Sequence, residues 1–194
     1  MSHPTTITES KDSKTTFGFW VYLMTDCLLF ASLFATYAVL HANTAGGESS
    51  RELFSLPFVL TETLILLTSS FTCGLAILAA RRADRTKVLY WLAVTAGLGL
   101  AFLGMEVSEF HKLAVEGNSW HRSGFLSAFF TLVGTHGLHI LTGLLWLSVL
   151  VWQLLKKGFT GNIVKRLTLF SMFWHFLDII WICIFTVVYM MGVL

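Results

Sequence analysis

LTLFSMFWHFLDIIWICIFTVVYMMGVL, Leu167 to Leu194, decides the fold. It is apolar enough, and at about 1.5 Å of rise per residue long enough, to cross a bilayer core of about 30 Å as one helix. Within it, Trp174-His175-Phe176-Leu177-Asp178-Ile179-Ile180-Trp181 sets a histidine and a carboxylate three residues apart, on one helical face. Asp178 lies near the middle of the span, where an ionised carboxylate costs about 2.5–3.5 kcal/mol even on the lenient insertion scale. Some other group must offset or neutralise it.

Working outward, four more runs have the same character: Phe17 to His41, Leu56 to Ala80, Val88 to Val115 and Gly124 to Leu155, with the last span taken as Leu167 to Gly192. The fold class is therefore an all-α integral membrane protein, a bundle of five transmembrane helices. The composition agrees, with 55% hydrophobic and 12% charged residues, which excludes a water-soluble domain. A formal net charge of +2 is too small to point to a nucleic-acid partner. Pro57 opens the second span and Pro4 lies in the tail, so no span carries an interior proline and the helices are expected to run unbroken.

Residues 1–16 are polar and lack the short apolar core and small-residue cleavage site of a signal peptide, so the first helix is expected to stay in the mature chain. They read as a cytoplasmic tail to one transmembrane domain, 17–194. No internal repeat or low-complexity stretch divides it. Cys27, Cys73 and Cys183 lie in apolar runs without metal-type spacing and read as small buried hydrophobes.

Basic residues set the orientation. Lys11 and Lys14 in the tail, Arg81, Arg82, Arg85 and Lys87 after the second span, and Lys156, Lys157, Lys165 and Arg166 after the fourth all fall on one side. The other side has Arg51 and Arg122, with Lys112 close to a helix end. By the positive-inside rule the N-terminus is cytoplasmic and the C-terminus lies outside, in the periplasm. Small residues suggest where helices touch, because lipid gives helices no hydrophobic reason to pair. The candidates are Ser69, Ser70 and Gly74 in the second span, Gly97, Gly99 and Gly104 in the third, and Gly134, Gly137 and Gly143 in the fourth.

Asp26, Glu62, Glu106, Glu109 and Asp178 fall inside the spans, with no Lys or Arg at comparable depth. Counting rise, Asp26, His136, His139, His175 and Asp178 share a midplane layer, while Glu62, Glu106 and Glu109 form a second layer in the outer half. Three accounts of these groups compete. They are packing groups satisfied across helices or by a partner chain; or His136, His139 and His175, with Asp178, hold a metal or haem; or the carboxylates line a proton or ion pathway. An odd helix count, no repeat and no broken midplane helix argue against a self-contained transporter and favour an accessory role in a larger complex. Phe125, Phe129 and Phe130 with Phe170, Phe173, Trp174, Phe176 and Trp181 suggest the same, although lipid contact and interface belts explain such aromatics equally well.

Four motifs then carry a resemblance: Gly134-Thr-His-Gly-Leu-His-Ile140, Trp174-His-Phe-Leu-Asp-Ile-Ile-Trp181, Met105-Glu-Val-Ser-Glu-Phe110 and Phe17-Gly-Phe-Trp-Val-Tyr-Leu-Met-Thr-Asp-Cys27. In this order, and over nearly the whole chain after residue 16, they resemble subunit III of the haem–copper respiratory oxidases. The five-helix length and the Leu-Met-Thr-Asp-Cys wording are most similar to the bacterial cytochrome o ubiquinol oxidases. The resemblance implies a noncatalytic subunit of a proton-pumping ubiquinol oxidase in the bacterial inner membrane. It implies subunits I, II and IV as partners, haems and copper in subunit I, and no catalytic residue, cofactor or metal site in this chain.

It further implies bound phospholipid and a position for Asp26 near the region of subunit I where protons enter. Glu109, His136, His139, His175 and Asp178 match family positions, and Glu62 and Glu106 match less well. All eight are structural or proton-uptake candidates. The alternatives are subunit III of a cytochrome c or menaquinol oxidase, and a histidine-ligated membrane cytochrome or metalloprotein. His175 is expected to pair with Asp178 or with a carboxylate of a neighbouring helix.

Overall fold

The computed structural model describes residues 5–41, 56–115 and 123–190, with the backbone alone at 5–13 and 157. Its helices are α1 (Thr5–Leu40), α2 (Leu56–Arg81), α3 (Arg85–Val115), α4 (Gly124–Lys157) and α5 (Gly161–Ile184), the last continued by a π-helical turn, Phe185–Met190. All five are long and apolar enough to cross a membrane, which matches the five expected spans. Arg51, Arg122 and the Gly192 end of the fifth span lie outside the described residues.

The helices run further than the apolar runs do. Hydropathy marks only the part that lipid covers, whereas a helix already nucleated continues at little cost through polar residues until a cap or turn ends it. So α1 begins at Thr5, within the polar tail. The α2–α3 turn is set by Ala83, at the left-handed φ of 54°. Asp84 then caps α3, its Oδ1 accepting from the Lys87 amide at 3.2 Å while its Oδ2 meets Lys87 Nζ at 2.9 Å. Helix α4 starts at Ser123, whose hydroxyl accepts from the Leu126 amide at 3.2 Å. At the same end of the bundle as Asp84, Arg85 donates to the Leu155 carbonyl at 2.9 Å and Arg166 to Gln153 Oε1 at 2.7 Å.

Helices α2 and α3 form the closest pair, α5 packs on α2 and α4, and α1 lies against α4 with a lighter contact to α5. The outside is apolar: Leu28 is 72% exposed, Val39 80% and Leu138 64%. These faces suit a lipid solvent. Inside, the fully buried large side chains include Trp174, Trp181, Tyr189, Phe30, Phe102, Phe125, Phe129 and Phe170. The aromatics that the sequence left between lipid and partner contact are thus largely core. Cys27 and Cys183 differ the other way, being exposed, and only Cys73 is buried.

Glycine does its work in three places. A Cβ at Gly143 would come within 2.8 Å of the Trp174 ring, and one at Gly99 within 3.0 Å, so α3 and α4 close around that indole only because both positions lack a side chain. At Gly137 a Cβ would run into the Glu106 carboxylate. Gly74, Gly97 and Gly104 meet nothing within 4 Å, so those three do not mark helix contacts.

Candidate functional site

The midplane residues are stitched to neighbouring helices one by one. Ser69 on α2 donates to the Thr95 carbonyl of α3 at 3.1 Å and accepts from Trp174 Nε1 of α5 at 3.2 Å. The Thr72 and Thr95 hydroxyls pair at 2.9 Å. His175 Nδ1 shares a hydrogen bond of 2.5 Å with the Ser70 hydroxyl. Asp178 faces both that hydroxyl and the His175 ring, and its Oδ1 finds no hydrogen-bond partner. The expected pairing of His175 with a carboxylate is therefore replaced by a shared serine. A hydroxyl can accept from one neighbour and donate to another, which lets Ser70 stand between the two ionisable groups.

His136 is fully buried, and its Nε2–H donates to the Leu177 carbonyl at 3.2 Å; a carbonyl only accepts, so this nitrogen holds the hydrogen. The rings of Trp181, Phe102 and Phe30 surround it at 5.1, 5.8 and 6.5 Å between centroids. His139 Nδ1–H donates to the Thr135 carbonyl at 2.7 Å, turning Nε2 toward Asp26 Oδ2 at 3.9 Å. That separation is longer than a hydrogen bond, and Asp26 Oδ2 has no hydrogen-bond partner among the described residues. Phe30 packs on both histidines, with centroids 6.5 Å from His136 and 5.2 Å from His139. The layer is thus a set of separate pins, and the histidines do not converge. Among the described residues no group of three or more His, Cys, Asp and Glu is arranged to hold a metal ion.

The outer layer is built differently. Glu62 on α2 is 0% exposed and neither carboxyl oxygen has a hydrogen-bond partner; Glu106 on α3 is 2% exposed and its Oε2 has none. Glu109, one turn further along α3, accepts from the Tyr189 hydroxyl at 3.1 Å and also feels Lys112, so it is not without a basic neighbour. Glu62 interacts electrostatically with both Glu106 and Glu109, and Tyr189 with all three. Thr63, beside Glu62, is already committed, donating to the Val59 carbonyl at 2.9 Å and accepting from Trp181 Nε1 at 3.1 Å.

Of the eight sequence candidates, Asp26 meets His139, and Glu62, Glu106 and Glu109 come together. His136, His175 and Asp178 are held by backbone or serine. Sequence reasoning missed Tyr189, Thr63, Thr95 and the bridging role of Ser70. A polar-tipped aromatic such as Tyr189 inside an apolar span needs a partner for its hydroxyl, and that was the available signal.

Two adjoining cavities lie between α1 and α5. One, of about 450 Å³ near the start of α5, is lined by Thr15, Thr16, Asn162, Lys165 and Arg166. The other, of about 310 Å³, is almost wholly apolar, with Trp20, Met24 and Phe176 in its wall, and Met172 borders both.

Comparison with known proteins bears on what this arrangement serves. The chain matches the family model of cytochrome c oxidase subunit III over residues 5–193. It is 59% identical over 180 residues to the cytochrome bo(3) ubiquinol oxidase subunit 3 of Pseudomonas aeruginosa, covering 93% of this chain and 86% of the relative. Against the same subunit of Buchnera aphidicola subsp. Schizaphis graminum it is 44% identical over 188 residues, 97% of this chain and 100% of the relative. The quinol oxidase subunit 3 of Bacillus subtilis is 44% identical over 175 residues, 90% of this chain and 86% of the relative.

Proposed function

The chain belongs to the cytochrome c oxidase subunit III family, and from that premise we propose that it is the third subunit of a ubiquinol oxidase, a part of the oxidoreductase that performs no catalysis by itself. The observation that carries this reading is the identity to relatives named cytochrome bo(3) ubiquinol oxidase subunit 3 along nearly the whole chain. On this reading the complex oxidises ubiquinol and reduces oxygen to water while moving protons outward. Subunit I carries the haems and copper, and subunits I, II and IV are the partners. The chain lies in the bacterial inner membrane with its N-terminus in the cytoplasm, which the ten basic residues on one side support.

Its contribution is to buttress subunit I, to keep the proton-uptake side in working order and to organise lipid. Asp26 is the residue assigned to proton uptake, and the support is its burial within the first span and its approach to His139 at 3.9 Å. His136, His175 and Asp178 act as structural pins, supported by their bonds to α5 backbone and to Ser70. A phospholipid is the occupant that best suits the two cavities between α1 and α5. Lys165 and Arg166 at one end match an anionic headgroup, and the apolar groove beyond Met172 matches an acyl chain.

Purification in mild detergent through a tag on this chain tests the assignment. A large haem-containing subunit with quinol oxidase activity is expected to come with it. Recovery of the chain without haem would overturn the reading.

A further inference from the structure

Two helices and a π-helical turn bring Glu62, Glu106, Glu109 and Tyr189 into one buried patch, in the half of the bundle that holds the first turns of α2 and the last turns of α3. Each carboxylate, if ionised, offers only acceptors. Tyr189 donates to Glu109 and Lys112 acts on Glu109, while both Glu62 oxygens and Glu106 Oε2 have no hydrogen-bond partner among the described residues. Glu62 comes from a different helix than the other two, is completely enclosed, and faces them with both oxygens unpartnered. The hydroxyl of the adjacent Thr63 is spent on Trp181 and the Val59 carbonyl. The patch has also been given room, because Gly137 on α4 leaves the space that the Glu106 carboxylate fills. Three negative charges so enclosed repel one another in a medium that screens little.

From this geometry we propose that Glu62, Glu106 and Glu109 form a proton-binding site, in which the hydrogen-bond donors missing from the protein are acid hydrogens carried by the carboxyls themselves. A hydrogen on Glu62 or Glu106 turns one acceptor into a donor toward its neighbour, and the Tyr189 hydroxyl fixes the far end of the chain at Glu109. The ligand is the proton alone. The site neither depends on the midplane histidines nor duplicates the Asp26–His139 pair on the α1 side of the bundle. It therefore goes beyond the subunit assignment and stands whatever complex the chain joins.

Infrared spectroscopy of the chain, purified in mild detergent with whatever stays bound to it, tests this directly. Carboxylic-acid C=O stretches are expected at neutral pH that vanish from wild-type-minus-variant difference spectra only where the acid is removed. Glu62→Gln and Glu106→Gln should each delete one such band, and signals from bound subunits cancel in the difference. The bands should shift in heavy water, since an exchangeable hydrogen is attached. If wild type and both variants show the same acid bands, and the differences contain only carboxylate stretches, the site holds ionised groups and the proposal fails. A carboxylate band that moves on adding sodium, potassium or calcium would replace the proton with a metal cation and overturn it equally. Glutamine preserves shape, so a variant that does not fold is answered by Glu109→Gln, which keeps a carbonyl oxygen to accept from Tyr189 but removes one carboxyl of the patch, and should shift the remaining acid bands without deleting them.

Discussion

The two polar layers of the bundle obey different rules. In the midplane, Ser69, Ser70, Thr72, Thr95 and His136 each find a partner on the next helix, and Trp174 is locked between Gly99 and Gly143. In the second layer, three glutamates gather with Tyr189 donating to Glu109, while both Glu62 oxygens and Glu106 Oε2 have no hydrogen-bond partner among the described residues. A buried polar group that is satisfied holds helices in register, whereas one left without donors stabilises nothing in its charged form. The first layer should therefore answer to truncation and the second to charge.

The largest effect is expected at the centre of the satisfied layer. Trp174→Ala removes a fully buried indole, strands the Ser69 hydroxyl as an acceptor and empties the space between two glycines. Loss of a buried tryptophan costs about 3–5 kcal/mol. The variant should fail to accumulate or should denature well below wild type in detergent melting. A variant that melts with wild type would show that the midplane is not where the bundle is held.

A smaller effect is expected from Ser70→Ala, which separates His175 from Asp178 without opening much space. Hydrogen bonds between membrane helices average about 0.6 kcal/mol by double-mutant cycles, because the separated helices also find partners. The Ser70→Ala, His175→Gln double variant should then cost little more than either single change. Strict additivity in the same melting assay would mean that the two side chains do not work as a pair.

What could be read from the chain differs between these layers for a physical reason. Five spans were legible because hydropathy reports directly on the solvent that a helix faces, and Gly99, Gly137 and Gly143 were legible as close contacts because few residues other than glycine permit them. Helical rise alone also grouped Asp26 with His139, and Glu62 with Glu106 and Glu109, which the structure brings near one another. Azimuth was not legible in the same way. Whether His175 turns toward Asp178 or toward Ser70, 105 positions away in sequence, depends on how α5 is rotated against α2, which no pattern along one helix encodes. Gly97 and Gly104 were misread for the same reason, being glycines on faces that meet no neighbour. Tyr189 stayed hidden because a π-helical turn shifts the register that regular α-helical counting assumes.

Asp84 offers a control between the layers, a carboxylate outside the apolar spans that has its own donors. Its hydrogen bonds to the Lys87 side chain, then to the Lys87 amide, hold its acid below the ordinary value of 3.8. A carboxylate depressed in the folded state contributes stability that is present above the unfolded value and is lost as pH falls through the folded one. Asp84→Asn should therefore melt slightly below wild type at neutral pH, and the gap should close as the medium is taken below pH 3.8. A gap independent of pH would assign the effect to the α2–α3 turn geometry and not to the charge.

The smallest effect is expected where the layers contrast most. Glu62→Gln replaces an enclosed carboxyl, with no hydrogen-bond partner, by a neutral group of the same shape. If Glu62 carries its hydrogen, the exchange is neutral for neutral and the melting temperature should not move. If Glu62 were charged, the substitution would relieve a buried, unpaired ion, and removing such a charge stabilises by several kcal/mol. A marked rise in melting temperature would thus break the contrast from one side by making the outer layer a store of charge repulsion. A marked fall would break it from the other, because only a glutamate already satisfied as an anion loses by becoming an amide.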